Sequence, residues 1–509
     1  PLSKGLYLMS VQLLLYGRLL GIEEFLLSAG DDPELFTGRS QWITLLSEVL
    51  PRAMLAEFGL ARILLGSSGG GQFLVVLPSE ARAQADEFFC EARRHMHEMS
   101  GGRLNVVWAA TENLGDWSVV RKRLSEGLHR KLGAAAAGWP REAFEAFQES
   151  PPVDHGDYFR DLAARMWQAE SAGWNPESPA HILLGQGKHT WSLRDDIPLA
   201  RHAAPSDDGA TPACLSVLAA RSEGRKVWGV LRGDVDSFRI RLRRAQTIEE
   251  HVRLSVLYRQ FFAGELEVLC SQPEFWRKVT ILYSGGDDFA VYGAWDALLP
   301  LAREMQRLFH RFTEENLKDF PGPEGKTISM AMALAPDPDA SLGWVYENAG
   351  KQLEIAKDVD KDCISVLGRI LEWRHLADAA ELKDTLARMV AESGSSGQLL
   401  NELSAFYRKG GQTWSHGNVQ RFDRPWRFHR RLNRVLAGVK DRELQKLRAH
   451  LANEMMSRGA AQVKLRPAGL VALEWTRLLT EPLSGERAPG RPAKSRKSGN
   501  GRGPLPEEG

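Results

Sequence analysis

The sequence has little cysteine and no cysteine pair at metal-binding spacing: Cys90, Cys214, Cys270 and Cys363 lie far apart, and no CxxC occurs. A zinc ribbon is therefore not expected, and few unpaired thiols suit a reducing cytosol. An excess of either charge is also missing, with 66 Lys plus Arg against 65 Asp plus Glu. Overall charge thus gives no reason for nucleic-acid affinity, and any such site has to be local. Long hydrophobic runs are absent too. The apolar stretches of residues 1–30 are broken by Lys4, Arg18, Glu23 and Glu24, which excludes a membrane span there, and no cleavage-site pattern argues for a signal peptide. A cytoplasmic location with no membrane partner is expected. The sequence begins at Pro1, which leaves open a segment removed before it. What remains is the make-up of a globular protein, 43% hydrophobic and 26% charged over 509 residues, a length that suits about three or four domains.

The most informative stretch is Lys278–Tyr292, KVTILYSGGDDFAVY. Two strand-like runs joined by Gly285-Gly286 read as a β-hairpin, because paired glycines take the positive φ values such turns need. The turn sets Asp287 and Asp288 beside backbone that carries no side chain. Neighbouring strand residues point to opposite faces, so both acids serve one site only if the turn bends them together. Clustered carboxylates are costly unless a cation offsets them, and hard oxygen donors suit Mg²⁺ or Mn²⁺. Taken alone, the stretch favours a plainer reading, a solvated hairpin tip with two surface acids.

Upstream, Lys226–Phe238 reads KVWGVLRGDVDSF, an apolar strand over Val227–Leu231 followed by Asp234 and a tight turn. An acid at the end of a buried strand, before a turn with free backbone N–H groups, is where a metal–triphosphate would sit. If that strand pairs with the hairpin, Asp234 faces Asp287 and Asp288, giving three carboxylates around a cation pair.

DVDSF followed by YSGGDDF resembles the palm domain of the GGDEF nucleotide cyclases and their relatives. Thr327–Ala335 (TISMAMALA) is similar to that family's next strand, Ala349–Lys357 (AGKQLEIAK) to its closing helix, and Cys363–Leu367 to its last strand. The aspartate pair, in place of Asp-Glu or Glu-Glu, resembles the large-subunit (Cas10) family of type III CRISPR effector complexes. The resemblance is close over 226–368 and looser over 1–480. It implies an α+β fold with two ferredoxin-like palms, a mainly antiparallel sheet with helices on one face in each, joined by a mostly helical linker domain and followed by a helical bundle. The expected boundaries are 1–135 for a degenerate first palm, 136–225 for the linker, 226–368 for the catalytic palm and 369–480 for the bundle. Residues 481–509, rich in Gly, Pro, Ser and basic residues, are expected to be a disordered tail.

In the first palm, Val11–Leu15 reads as a strand, Gly38 opens a helical pattern, and Ile63–Pro78 repeats the strand–glycine–strand hairpin. Arg18 stands where the metal acid would be and Gly71-Gln72 where the second palm has Asp287-Asp288, so this copy cannot hold a cation pair. Ser68, Gly69, Gly70 and Gly71 could still cradle a second nucleotide through backbone N–H groups, or form a plain turn. In the linker, Asp154, His155 and Asp157 read as solvated surface in a Pro/Gly loop. The family's zinc-binding insert is absent. So is the adjacent His-Asp pair of the HD phosphohydrolase domain that many members carry, so DNA cleavage by this chain is not expected. Thr247–Glu250 fits a capping box opening a helix, and Trp295–Asn316 reads as another helix. In the bundle, Arg421–Arg434 sets six arginines among Phe422, Trp426 and Phe428. Arg424, Arg427, Arg430 and Arg431 are candidates for RNA or partner contact.

The resemblance implies an ATP-using nucleotidyltransferase that makes cyclic oligoadenylate when guide RNA in the complex pairs with target RNA, alongside sister CRISPR subunits. Asp234, Asp287, Asp288 and the Val235 carbonyl would hold Mg²⁺ or Mn²⁺. Ser237, Phe238, Ser284, Gly285 and Gly286 would bind ATP, and Lys357 would neutralise its triphosphate. Two alternatives stand beside it. One is a signalling cyclase that makes a cyclic dinucleotide; the duplicate palm, the helical tail domain and the second aspartate argue against it. The other is a catalytically silent scaffold, against which three costly carboxylates argue.

Overall fold

The computed structural model describes residues 11–142, 155–393, 456–458, 463–465 and 467–480, with Leu400, Asn401, Ser404, Arg430 and Lys446. The first palm runs β1 (Gln12–Leu20), α1 (Ile22–Leu27), α2 (Pro33–Glu57), β2 (Leu65–Gly69), β3 (Gln72–Pro78), α3 (Arg82–Met99), β4 (Asn105–Glu112) and α4 (Trp117–Glu142). Its four strands form an antiparallel sheet in the order β2-β3-β1-β4. Helix α2 starts at Pro33, five residues before the Gly38 expected from periodicity. Asp32 caps it, its carboxylate accepting the Leu35 N–H at 2.9 Å, and Pro33 needs no donor at the first helical position.

The linker holds α5 (Gly156–Arg165), a small sheet of β5 (Ser171–Trp174), β6 (Leu183–Leu184) and β7 (His189–Ser192), and α6 (Leu215–Ala220). The stretch expected to be mostly helical therefore carries a three-stranded sheet, whose strands are too short to show an alternation. Trp42 of α2 donates its indole N–H to the Ala180 carbonyl at 2.8 Å, fixing the linker to the first palm.

The second palm repeats the same order of elements: β8 (Trp228–Val235), α7 (Phe238–Arg244), α8 (Ile248–Cys270), β9 (Val279–Ser284), β10 (Asp288–Ala294), α9 (Trp295–Asn316), β11 (Ile328–Leu334) and α10 (Leu342–Val359). Thr247 caps α8 by accepting the Glu250 N–H at 3.1 Å, while Glu250 reaches back to the Gln246 N–H at 2.7 Å, one residue before the cap. Strands β12 (Cys363–Val366) and β13 (Arg369–Glu372) extend the sheet to the order β13-β12-β11-β8-β10-β9, antiparallel except between β11 and β12. The sheet of the second palm thus runs on to Glu372.

Helices cover both faces of this sheet, not one. Along β8, Gly229 packs on Leu298 of α9, whereas Arg232 and Asp234 meet Tyr346 and Lys357 of α10. The strand's period of two sends alternate residues to these two layers. One apolar core runs through both palms, from Leu13 and Trp42 to Trp295 and Val345. After the sheet, α11 (Trp373–Ser393) packs against the helix Pro467–Thr480, consistent with a helical bundle. A short hairpin, β14 (Met456–Arg458) with β15 (Val463–Leu465), also lies in this region, where only helical spacing was read. The tail 481–509 lies outside the described residues. Among the described residues no helix is long and apolar enough to cross a membrane.

Candidate functional site

Strand β8 continues four residues beyond the expected Leu231, so Asp234 is a paired residue near the strand's end. It stands directly opposite Asp288 of β10. The acidic turn is held by backbone bonds at both ends, Gly285 N–H to the Asp288 carbonyl at 2.7 Å and Val235 N–H to the Asp287 carbonyl at 2.9 Å. Gly285 has to be glycine, since a Cβ there would lie 2.1 Å from Asp288 Oδ1. Across the strands, Lys357 Nζ donates to Asp234 Oδ1 at 2.6 Å.

The electrostatics are those of too much negative charge in too little water. Burial, then the charge of Asp234, pushes the Asp288 carboxyl up to about 6, against the pull of Arg232 and a Tyr283 hydrogen bond. Burial and the two other acids raise Asp287 well above the ordinary carboxylate range. Asp234 is raised too, burial outweighing Lys357. The other acid of DVD is spoken for: buried Asp236 accepts from Thr327 Oγ1 and Ser329 Oγ, both at 2.8 Å, and from the Asp362 N–H at 2.9 Å.

A cavity of about 900 Å³ opens between the palms. Asp234, Asp288, Ser284, Gly285, Lys357, Gly70 and Gly71 all line it, so the structure brings seven sequence-predicted residues to one place. Asp287, Val235, Gly286, Ser237, Phe238, Ser68 and Gly69 are not among its lining residues. Asp287 lies in the turn, one residue before β10, and its charge interacts with those of Asp288, Asp234 and Lys357 as well as with Tyr258 of α8 and Tyr16 of β1. Among the described residues no three His, Cys, Asp or Glu side chains are grouped closely enough to hold a metal ion. Lys357 already occupies Asp234. The Ser237 hydroxyl accepts from Lys361 Nζ at 2.7 Å, and Phe238 is buried against Tyr258. Ser68 Oγ donates to Glu48 Oε2 at 2.6 Å, and a Cβ on Gly69 would lie 3.1 Å from Glu48 Oε1. Arg424, Arg427 and Arg431 lie outside the described residues; Arg430 is exposed.

The pair at the cavity wall still fits a divalent cation: Asp234 and Asp288 are cross-strand carboxylates, both with proton affinity raised chiefly by burial, which a cation's charge would offset.

Three comparisons agree with this geometry. Residues 227–365 match the family model described as Cas10/Cmr2, second palm domain. A Mycobacterium tuberculosis protein described as a CRISPR system single-strand-specific deoxyribonuclease Cas10/Csm1 (subtype III-A) is 23% identical over 62% of this chain and 49% of its own length. A Methanocaldococcus jannaschii protein of the same description is 33% identical over 30% of this chain and 21% of its own. The chain is similar to these Cas10/Csm1 proteins and spans about half their length, or less. Among solved structures, a Csm1–Csm4 cassette in complex with one ATP superposes with TM-score 0.68 at 19% identity, covering 93% of this chain and 70% of that one. A cassette in complex with cA4 gives 0.65 at 18% identity over the same shares. At such identities these structures show the fold.

Several cavity residues escaped sequence reasoning. Arg232 lies two residues before Asp234, on the same face of β8; its guanidinium sits 4.1 Å from the centre of the Tyr346 ring. Period-two spacing alone points to it. Tyr283, next to the serine of the turn, and Glu23 and Glu24 of α1 also line the cavity. The glutamates carry no sequence signal, because only the tertiary docking of the first palm brings them there.

Proposed function

We propose that this chain is the large subunit of a type III CRISPR effector complex, and that its second palm joins ATP molecules into cyclic oligoadenylate. The observation that carries the reading is the cross-strand pair Asp234–Asp288 at the wall of a cavity shared by two palms. Attack of one nucleotide's ribose 3′-oxygen on the next one's α-phosphorus forms the phosphodiester and releases pyrophosphate; repetition and closure give the ring. Asp234 and Asp288, with Asp287 and the Val235 carbonyl, would hold Mg²⁺ or Mn²⁺. Such ions, when bound, supply charge neutralisation and acidify the attacking hydroxyl.

The chain's own residues do the rest. Lys357 holds Asp234 in place and sets a positive charge where phosphates enter. Ser284 Oγ is buried without a hydrogen-bond partner, leaving a donor for a nucleotide. Gly70 and Gly71 let backbone approach from the first palm. The family resemblance, not these contacts, supplies adenine, the cyclic product, activation by target RNA through guide RNA, and the sister subunits.

The test is to incubate purified complex with ATP, Mg²⁺ and matching or non-matching RNA, and identify products by mass spectrometry. Asp287→Ala with Asp288→Ala is expected to abolish product while the complex still assembles. Unchanged product in the double variant rejects the assigned site. Guanosine-containing products, or indifference to RNA, favour a cyclic-dinucleotide cyclase.

A further inference from the structure

The first palm's hairpin tip is braced from beneath by buried charge. Glu48 of α2 is 1% exposed. It accepts from Ser68 Oγ of β2 at 2.6 Å, from Arg52 Nη1 at 2.6 Å and, across the seam between palms, from Arg259 Nη1 of α8 at 2.8 Å. Arg259 also reaches Ser68 Oγ at 3.3 Å, and Arg52 the Asp196 carbonyl of the linker at 3.2 Å. One carboxylate therefore ties two elements of the first palm to a helix of the second.

The cluster sits directly under the tip. A Cβ on Gly69 would lie 3.1 Å from Glu48 Oε1 and 3.3 Å from Arg259 Cδ, and one on Gly70 would lie 3.1 Å from the Gly286 nitrogen of the acidic turn. The two glycine tips thus abut, and the charge beneath sets how they do so. Glu48, Arg52 and Arg259 do not line the cavity, so the cluster is no part of the ligand site. An apolar seam would join the palms about as strongly; one carboxylate oxygen shared by two guanidinium N–H groups and a hydroxyl adds a directional requirement that apolar packing lacks.

We propose that Glu48 and Arg259 are positioning residues that fix the gap between the Gly69–Gly71 tip and the Ser284–Asp288 turn. They govern the joining of two nucleotides and leave the binding of each unchanged. The kinetic part of this rests on the reading that nucleotides are joined between the palms.

The test uses the full chain in its purified complex, with Arg259→Met, Glu48→Gln and the conservative Arg259→Lys. Turnover at saturating ATP should fall about 10–100-fold in the first two, the scale of a misplacement of about 1 Å. The Kd for AMPPNP should stay within about two-fold, and Arg259→Lys should recover part of the turnover. Unchanged turnover, or parallel loss of turnover and AMPPNP binding, overturns the proposal. A second measurement needs no activity. Spin labels at Ile63→Cys and Val268→Cys, both exposed, are placed in a Cys90→Ser, Cys214→Ser background. They should give one narrow inter-palm distance that broadens or shifts with Arg259→Met. An unaltered distance distribution overturns the brace, whereas a wild-type complex that makes no nucleotide product refutes only the reaction assigned above.

Discussion

The two palms are the same construction with different chemistry at one spot. Each runs strand, two helices, hairpin, helix, strand, helix, with the central strand between the hairpin and the last strand. Gly17 faces Phe73 in the first palm as Gly233 faces Phe289 in the second, leaving 2.1 Å and 2.2 Å between a hypothetical Cβ and the ring. The Leu19 N–H bonds the Gly71 carbonyl at 2.7 Å, as the Val235 N–H bonds the Asp287 carbonyl at 2.9 Å. One residue on, the likeness ends: Arg18 stands opposite Gln72 where Asp234 stands opposite Asp288. The backbone and the glycine–aromatic contact are demanded by packing in both copies. The cross-strand pair is free to differ, so fold and site are separable within one chain.

The largest expected effect tests whether the packing is equivalent. Gly233→Ala and Gly17→Ala each drive a methyl into a buried phenyl ring, and each should cost about 3 kcal/mol of stability, at the upper end for overpacking. Urea denaturation of the two variants checks this. A tolerated Gly17→Ala beside a crippling Gly233→Ala breaks the equivalence.

The next effect tests the difference. Asp288 takes up protons more readily folded than unfolded, so its contribution to stability is full below about pH 4 and is lost as pH rises through about 6. Asp288→Asn should therefore stabilise the divalent-free protein at pH 8, by about 1–2 kcal/mol, with the gain vanishing at about pH 3.5. Mg²⁺ should stabilise the wild type more than the variant. Arg18→Asp with Gln72→Asp, the reverse exchange, should make the first palm lose stability above pH 6 and regain it with Mg²⁺. Melting curves at both pH values decide between these outcomes; an Asp288→Asn protein no more stable than wild type at pH 8 removes the case for repelling carboxylates.

Much of this was legible before any coordinates. Glycine pairs between apolar runs located both hairpins, and the acids of DVDSF and SGGDDF located the cavity wall, because turns and buried charge leave strong local marks. What escaped was set by local geometry or by distance. Asp287 and Asp288 are neighbours in sequence, yet only Asp288 lines the cavity; Asp236 was passed over and proves fully engaged. The side-chain partners of Ser68, Glu48 and Arg259, are 20 and 191 residues away and leave no local mark. Strands as short as Leu183–Leu184 and Arg369–Glu372 carry too few residues for an alternation to register.

The smallest effect separates the palms at their second helices, which start in the same way but not with the same chemistry. Asp32 caps α2 and also accepts from Arg160 Nε at 2.9 Å; Thr247 caps α8 through a hydroxyl alone. Each replaced by alanine should cost about 1 kcal/mol, with Asp32 slightly dearer for its half-exposed ion pair. The two should part company with pH. Burial opposes the Asp32 charge, yet the Leu35 N–H and Arg160 outweigh it and hold the carboxyl below its ordinary range. Its contribution is therefore present above about pH 4 and fades as pH falls through the lowered value, whereas the Thr247 hydroxyl does not titrate. Urea midpoints of Asp32→Ala and Thr247→Ala, followed as pH falls from 7 towards 2.5, should draw towards wild type for the first and stay apart for the second. A pH-independent Asp32→Ala deficit would mean that the side chain acts by packing, and that the two helix starts are physically alike after all.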